Sequence, residues 1–349
     1  MQEKILGGLS LGCVVALAAL LSSPAPAAAQ DVTVGLPAVI SDASFFIAQA
    51  NGYFKDEGLT VHFEDFASAA KMIAPLGAGE IDVGAGAPSV GLYNAVARGI
   101  GIKIVADKGH IAPGYGWQAL MVRKDLVDNG KVKSIKDFKG LRVATTAVGA
   151  TETSILDVAL RSGGLTLNDV QQVYLPFPEQ AAAMAHGAVD ASLTSEPMIT
   201  FMLRADSAVL FAGVDTFYPG HQTSVVLYSG PFMKNHPDTA RKFMVAYLRG
   251  VRFYNDALAG GKIAGPNADR VISILTQNAK IKDPAVYRAV IASACDPDGR
   301  LDMPSLRKDF EFFQQQKMIN GDLTVDQAVD QSFARAAAAQ LGPYRPASK

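Results

Sequence analysis

The chain has 349 residues, and its 32 basic and 33 acidic residues give a formal net charge of −1. This near-neutral charge argues against binding to nucleic acid or to an anionic membrane surface, and the sequence has neither a basic run nor an RNA-binding aromatic motif. The length is typical of two domains of ordinary size.

The first 29 residues have the order of a secretory signal. Lys4 precedes an uncharged apolar run from Ile5 to Leu21, and small residues follow as far as Ala29. We therefore expect cleavage after Ala29 and export to the periplasm. A retained anchor is disfavoured because the run is shorter than the ~20 residues that a spanning helix needs. The position of Cys13, before most of the apolar run, disfavours a lipoprotein signal. Export would leave one cysteine, Cys295, and no internal disulfide.

The next part of the chain alternates between strand and helix patterns. Period-two alternation and short apolar runs predict strands at Val32–Leu36, Thr60–Glu64, Ile81–Gly84 and Lys103–Ala106. Helical spacing of apolar residues predicts helices at Ala43–Phe54, Ala69–Ala78 and Ser89–Arg98. Such alternation is typical of a parallel, doubly wound sheet.

The same rhythm repeats in the middle of the chain and then gives way to helices. Strands are predicted at Gln118–Val122, Gly140–Ala144, Gln172–Leu175, Ala191–Leu193 and Thr223–Tyr228. Helices are predicted between these strands at Ile135–Phe138, Thr151–Ser162 and Pro178–His186. The remaining segments read as helices at Thr239–Asn255, Ala268–Gln277, Pro284–Ser293, Pro304–Gln316 and Val325–Gln340.

These elements predict an α/β protein with two doubly wound lobes joined by two crossovers, followed by a helical C-terminal segment. The first lobe would comprise residues 30–123 and 222–349, and the second lobe residues 124–221. Because the chain leaves the first lobe and returns to it, the two lobes can hinge and close on a ligand.

Several stretches occur in the order found in a known family: Phe46–Leu59, Ala78–Gly84, Asp137–Ala144, Gly163–Leu165 with Asp169–Val170, and Gly187–Ala191 with Glu196–Pro197. From residue 32 to about 255, the chain resembles the periplasmic binding proteins for nitrate, taurine, aliphatic sulfonates and thiamine-pyrimidine precursors. The resemblance implies a type II periplasmic binding fold and capture of a small-molecule ligand for an ABC importer. It also implies an ABC permease and an ATPase as partners, a monomeric state and no cofactor.

Ligands of open α/β sheets bind beyond the carboxyl ends of the strands. The loops and element ends at those positions, together with the crossovers, supply the candidate ligand-binding residues: Ser41, Asp42, Ser44, Ala87, Ser89, Tyr115, Trp117, Thr146, Thr151, Glu152, Glu196 and His221.

These candidates leave two kinds of ligand chemistry open. The helix starts at Ser89 and Thr151 offer N–H groups to an anion, although Ser and Thr are also ordinary helix caps. Asp42, Glu152 and Glu196 make the set acidic, unless Glu196 only caps a helix behind Pro197, and no arginine lies in these loops. We therefore expect an aromatic or nitrogen-bearing organic solute, with any anionic group at the helix starts.

One enzymatic alternative remains in the sequence. Ala87–Gly91 imitates the nucleophile elbow of a hydrolase, with Ser89 as the nucleophile. The histidines His110, His186, His221 and His236 have no recognisable setting for the general base. Their scatter also gives no metal-ligand spacing. We expect a binding protein rather than an enzyme, without a metal or a cofactor.

Overall fold

The computed structural model describes Met1 and residues 29–347. Almost all of the predicted signal segment lies outside the described residues. In the part that is described, no helix is long and apolar enough to cross a membrane.

The first lobe is built on a five-stranded sheet with the order β2-β1-β3-β10-β4. Its strands are β1 (Gln30–Leu36), β2 (Leu59–Asp65), β3 (Val83–Gly86), β4 (Lys103–Gly109) and β10 (Ser224–Tyr228). The second lobe is built on a five-stranded sheet with the order β7-β6-β8-β5-β9. Its strands are β5 (Gln118–Arg123), β6 (Arg142–Thr145), β7 (Gln171–Tyr174), β8 (Ala191–Ser195) and β9 (Ala208–Gly213). The short strands β11 (Leu258–Ala259) and β12 (Lys262–Ile263) pair separately.

Helices cover both sheets and form most of the C-terminal segment. The α-helices are α1 (Ala43–Ala50), α2 (Tyr53–Asp56), α3 (Ile73–Ala78), α4 (Val90–Ala97), α5 (Lys124–Asp128), α6 (Thr151–Ser162), α7 (Phe177–Ala185), α8 (Met198–Arg204), α9 (Val214–Phe217), α10 (Gly230–Asn235), α11 (Pro237–Asn255), α12 (Ala268–Asn278), α13 (Pro284–Ala289), α14 (Met303–Gln315) and α15 (Ser332–Leu341). Short 3-10 helices occur at Ile40–Asp42, Ala69–Met72, Ile135–Phe138, Leu167–Asp169 and Val325–Ala328.

Each five-stranded sheet contains one antiparallel strand, so the sheets are mixed where the alternation of strands and helices predicted parallel ones. β10 runs antiparallel to β3 and β4. β5 runs antiparallel to β8 and β9. The reason is the direction from which the chain enters each lobe. The parallel strands of a sheet end at the edge that faces the other lobe. A strand that follows a crossover begins at this edge, and it therefore runs in the opposite direction.

The lobe boundary near Lys124 also requires correction. The strand at Gln118–Arg123, predicted to close the first lobe, is hydrogen-bonded within the second sheet. The first crossover therefore lies between Gly109 and Gln118. The sequence reading also missed β9, an edge strand whose partial exposure leaves no clear alternation.

The C-terminal helices contact both lobes. α11 packs on α1, where the rings of Phe45 and Tyr247 lie 4.7 Å apart. α15 packs against α11, and α14 contacts α6 of the second lobe. The segment predicted as one helix over residues 325–340 is instead a 3-10 turn followed by α15. The C-terminal segment is thus placed to influence how the two lobes meet.

Candidate ligand-binding site between the two sheets

A small cavity lies between the two sheets, and we call it the polar cleft cavity. Its volume is about 40 Å³. Its walls are formed by residues of both lobes: Pro37, Val39, Ala69, Ala70, Ala85, Gly86, Ala87, Ser89, Lys108, Trp117, Gln118, Thr146, Ala150, Thr151, Glu152, Phe177, Ser195, Thr223 and Ser224. A site that closes by movement of two lobes needs contributions from both of them.

The strand directions bring these residues together. β3 ends at Gly86 and β8 ends at Ser195, and the loop after β6 begins directly behind Thr145. The antiparallel strands β5 and β10 begin at the same edges, with Gln118 and Ser224. Polar groups that are far apart in the sequence therefore converge on the cleft.

Half of the candidate residues from the sequence line this cavity: Ala87, Ser89, Trp117, Thr146, Thr151 and Glu152. Trp117 is buried, and its Nε1–H donates a hydrogen bond to the His110 carbonyl at 3.1 Å. Thr151 opens α6. The Thr153 N–H donates to the Ala150 carbonyl at 2.9 Å and the Glu152 N–H to its own carboxyl group, which leaves the Thr151 N–H at the helix start without an acceptor within the helix. This helix start is therefore a place where an anion can be bound.

Ser89 has the geometry of a helix cap. Its Oγ accepts a hydrogen bond from the Leu92 N–H at 3.3 Å. Among the described residues, no histidine side chain is hydrogen-bonded to Ser89. The elbow-like sequence around Ser89 therefore lacks the base that a serine nucleophile requires.

Lys108 is a cationic residue of the cavity wall that was not among the predicted site residues. Its Nζ lies 2.6 Å from Asp42 Oδ1 and 3.3 Å from the Ala85 carbonyl, and both side chains of the ion pair are fully buried. An ammonium group has three N–H donors. Two are directed at Asp42 and Ala85, which leaves the third for a group in the cavity.

Two polar atoms on the cavity wall have no hydrogen-bond partner among the described residues. They are Gln118 Oε1 and Ser195 Oγ, and both side chains are almost fully buried. Leaving such a group unpaired costs about 1–3 kcal/mol. A polar ligand that pairs with Gln118 and Ser195 would remove that cost.

Glu152 lies beside these groups and is buried. Burial raises the pKa of its carboxyl group, and the Thr146 hydroxyl, which donates to Oε1 at 3.0 Å, opposes that rise only partly. His221 also favours the ionised form through its charge. The protonated carboxyl therefore persists to higher pH than that of an ordinary glutamate, and in that form Glu152 can donate a hydrogen bond.

Asp42 and Glu196 do not offer free carboxylates to the cleft, and Glu196 instead caps the helix behind Pro197. Asp42 Oδ2 accepts from the Val39 N–H at 2.9 Å, and Oδ1 is paired with Lys108. Glu196 accepts three hydrogen bonds, two from Thr200 and one from the Ile291 N–H, at 3.0–3.1 Å. Burial raises the pKa of both carboxyl groups. The carboxyl groups of Asp42 and Glu196, which suggested a cationic nitrogen in the ligand, are therefore already paired within the protein.

The other candidates also lie outside the cavity walls. His221 Nε2 is 2.6 Å from Asp309 Oδ2 and its Nδ1 is 2.9 Å from Thr223 Oγ1, so the ring is held at the second crossover. Ser41 and Ser44 are buried, and Ser44 lies on the side of α1 that packs closely on Gly250. Tyr115 is half-buried in the first crossover.

Two backbone hydrogen bonds join the lobes across the cleft. The Val90 N–H donates to the Gly149 carbonyl at 2.9 Å, and the Ile40 N–H donates to the Glu196 carbonyl at 3.2 Å. Gly149 has a φ of 67°, and a Cβ at this position would lie 2.6 Å from Val90 Cβ. Only glycine combines this backbone conformation with so close an approach of the two lobes.

Lys108, Gln118, Ser195, Thr223 and Ser224 are the polar cavity residues that the sequence reading did not select. Lys108 could have been found by extending the predicted strand at Lys103–Ala106 to its observed end at Gly109. Gln118 and Ser224 begin antiparallel strands, a direction that the sequence pattern does not report. Within the described residues, no group of three or more His, Cys, Asp or Glu side chains is arranged to hold a metal ion.

Comparison with known proteins identifies a matching family. The family model described as NMT1/THI5 like matches residues 41–257. The taurine-binding periplasmic protein of Escherichia coli (strain K12) is 27% identical over 229 residues, which are 65% of this chain and 67% of that protein.

Two solved structures have the same fold. The alkanesulfonate-binding protein SsuA from Xanthomonas axonopodis pv. citri, bound to MOPS, gives a TM-score of 0.66 with 18% identity, over 86% of this chain and 98% of that chain. The periplasmic nitrate-binding protein NrtA from Synechocystis PCC 6803 gives a TM-score of 0.71 with 13% identity, over 89% of each chain. At these identities the likeness concerns the fold alone.

Proposed function

Because this chain belongs to the NMT1/THI5-like family of solute-binding proteins, we propose that it captures a small organic anion, whose charged group binds in the polar cleft cavity, and delivers it to an ABC importer. Its role is solute binding and not catalysis. The permease and ATPase of the importer are its proposed partners, and the periplasm is its proposed location. The observation that carries the proposal is the set of buried polar groups converging on the cleft from both lobes.

The anionic group is assigned from the donors of the cavity. The third N–H of Lys108, the first turn of α6 and the protonated form of Glu152 all favour a negatively charged or oxygen-rich group. The hydroxyl of Ser195 can donate to the same group. Taurine and MOPS, named for two of the similar proteins, also carry a sulfonate.

The rest of the ligand is proposed to be aromatic or otherwise apolar. Trp117 and Phe177 line the polar cleft cavity beside its donors. The nitrogen-bearing alternative loses the support of Asp42 and Glu196, which are engaged within the protein, and keeps only that of Gln118 Oε1, an acceptor that needs a donor from the ligand. An organic acid with an apolar body is therefore the solute class that we propose.

A screen of organic acids, sulfonates, amines and heterocycles against the purified protein tests this function. A bound solute at 100 times its dissociation constant should raise the free energy of unfolding by about 2.7 kcal/mol, seen as a higher melting temperature. Trp117 is the only tryptophan, so its fluorescence should change as the same solute saturates the cleft. Stabilisation by amines alone would refute the anionic assignment. Turnover of any stabilising solute would refute pure binding.

Affinity for the organic anion should fall as the pH rises through the folded-state pKa of Glu152. Below that pKa the protonated carboxyl donates a hydrogen bond to the anion, and above it the carboxylate repels the anion. Because burial raises this pKa, the loss should occur above the pH range in which an exposed glutamate ionises. Calorimetric titration over a series of pH values measures the effect.

Glu152→Gln is the control for this pH dependence, because a glutamine amide keeps a hydrogen-bonding group beside Thr146 but does not titrate. The variant should bind the anion with an affinity that no longer depends on Glu152 ionisation. A slope that persists unchanged in Glu152→Gln would assign the pH dependence to another group and contradict the role of Glu152.

A further inference from the structure

The polar cleft cavity is too small for a whole organic solute. Its volume is about 40 Å³. Pockets that enclose small organic ligands usually measure about 300–1,000 Å³. In the arrangement of the lobes described here, the cavity can hold a charged head group, and the remainder of the solute needs another space.

A second and much larger space lies directly beside it, and we call it the apolar side cavity. Its volume is about 820 Å³, and it shares Pro37 and Val39 with the polar cleft cavity. Its larger apolar side chains are Phe46, Phe63, Phe66, Leu275, Ile281 and Tyr287. Pro197 and Met198 bring the second lobe into its wall.

The charged groups of the apolar side cavity are exposed. Asp65 Oδ2 lies 3.2 Å from Lys280 Nζ, and both side chains are more than half exposed. The Lys282 ammonium donates to the Gln277 carbonyl at 2.9 Å. The aromatic wall contains an edge-to-face contact, with the rings of Phe46 and Phe63 5.3 Å apart. Such a wall is suited to another aromatic ring, since edge-to-face and offset contacts are the favoured arrangements.

We propose that the apolar side cavity receives the aromatic body of the solute whose anionic head occupies the polar cleft cavity. The solute would then be an amphipathic aromatic anion, and Pro37 and Val39 would lie at the junction of its two parts. The proposal rests on the proposed function, because it assumes that the head group binds in the cleft. It assigns α12 and α13 of the C-terminal segment, through Leu275 and Tyr287, a direct part in solute recognition.

Pairs of anions that share a head group test this assignment. The probes are 3-phenylpropanoate with propanoate, and benzenesulfonate with methanesulfonate. In at least one pair the aromatic member should bind the purified protein at least tenfold more tightly, because its ring is removed from water. Equal affinities within both pairs, or no binding by an aromatic member, would overturn the assignment. If propanoate or methanesulfonate still binds in the cleft, the proposed function survives that result.

Variants that fill the apolar side cavity test whether the aromatic ring of the probe binds there. Ala279→Trp places a large ring in the cavity from the end of α12, and Ala67→Trp does so from an exposed position on the first lobe. Each should weaken the aromatic probe at least tenfold and leave its small partner unchanged. Ala185→Trp, at an exposed position outside the cavity wall, is the matched control and should change neither. Full affinity for the aromatic probe in both filled variants would place the ring elsewhere and refute the proposal.

Discussion

Gly149→Ala is expected to weaken solute binding about 10- to 100-fold. The new Cβ would lie 2.6 Å from Val90 Cβ, which belongs to the opposite lobe. Overpacking of this kind typically costs about 1–3 kcal/mol, and each 1.4 kcal/mol is a tenfold change in affinity. Because the clash arises only when the lobes meet, the cost opposes closure around the solute. Calorimetric titration with a solute from the screen measures the loss.

Gly164→Ala is the matched control for this substitution. Gly164 also lies in the second lobe and has a φ of 75°, but no heavy atom of the described residues lies within 4 Å of an added Cβ. Both variants should lose roughly 1 kcal/mol of unfolding free energy, since alanine is strained in the left-handed region. Only Gly149→Ala should lose affinity. Wild-type affinity in Gly149→Ala would show that closure does not require the contact with Val90.

Lys108→Met is expected to lower the free energy of unfolding by about 3–5 kcal/mol. The substitution keeps a long side chain but leaves the Asp42 carboxylate without its cation in a fully buried position. It also removes the N–H donor proposed for the anionic head group, so solute affinity should fall with stability. Denaturant unfolding and calorimetric titration measure the two effects separately.

Two further variants separate the role of Lys108 in stability from its role in binding. The double variant Lys108→Met with Asp42→Asn removes both charges, so most of the lost stability should return while solute affinity stays low. Lys124→Met breaks an exposed ion pair with Asp128 at 2.7 Å and should cost less than about 1 kcal/mol. Wild-type affinity in the double variant would remove Lys108 from the proposed site.

Local patterns predicted most of the strands and helices because each pattern arises from burial along a single element. The alternation at Thr60–Glu64 reports one buried face, which the structure confirms in β2. The helix predicted at Thr151–Ser162 is confirmed as α6, although its first two turns are buried on all sides. β9 escaped prediction because an edge strand is only partly buried. The helix predicted at Pro284–Ser293 ends at Ala289, since the following residues belong to a loop that reaches Glu196.

The sequence predicted those site residues whose surroundings follow from their position at the end of a strand. Thr146 and Thr151 follow a parallel strand and reach the polar cleft cavity. Glu196 also follows a strand, yet its carboxylate turns to Thr200 and Ile291. Position at a strand end does not distinguish these cases, because it does not report the partners of the carboxylate: Thr200 is four positions from Glu196, and Ile291 comes from a distant part of the chain.

The amino-acid sequence by itself determined the α/β class, the two-lobe organisation and the family resemblance, since these depend on local periodicity and on the order of short stretches. Only the tertiary structure decided which strands run antiparallel, which acids are neutralised and which cation faces the cleft. Lys108 and Asp42 are 66 positions apart in the sequence, and their pairing depends on how β4 and the 3-10 helix Ile40–Asp42 come together. Such long-range contacts decide which buried charges are paired. Because they pair the acidic side chains within the protein, a set of residues that looks acidic in the sequence can form the proposed site for an anion.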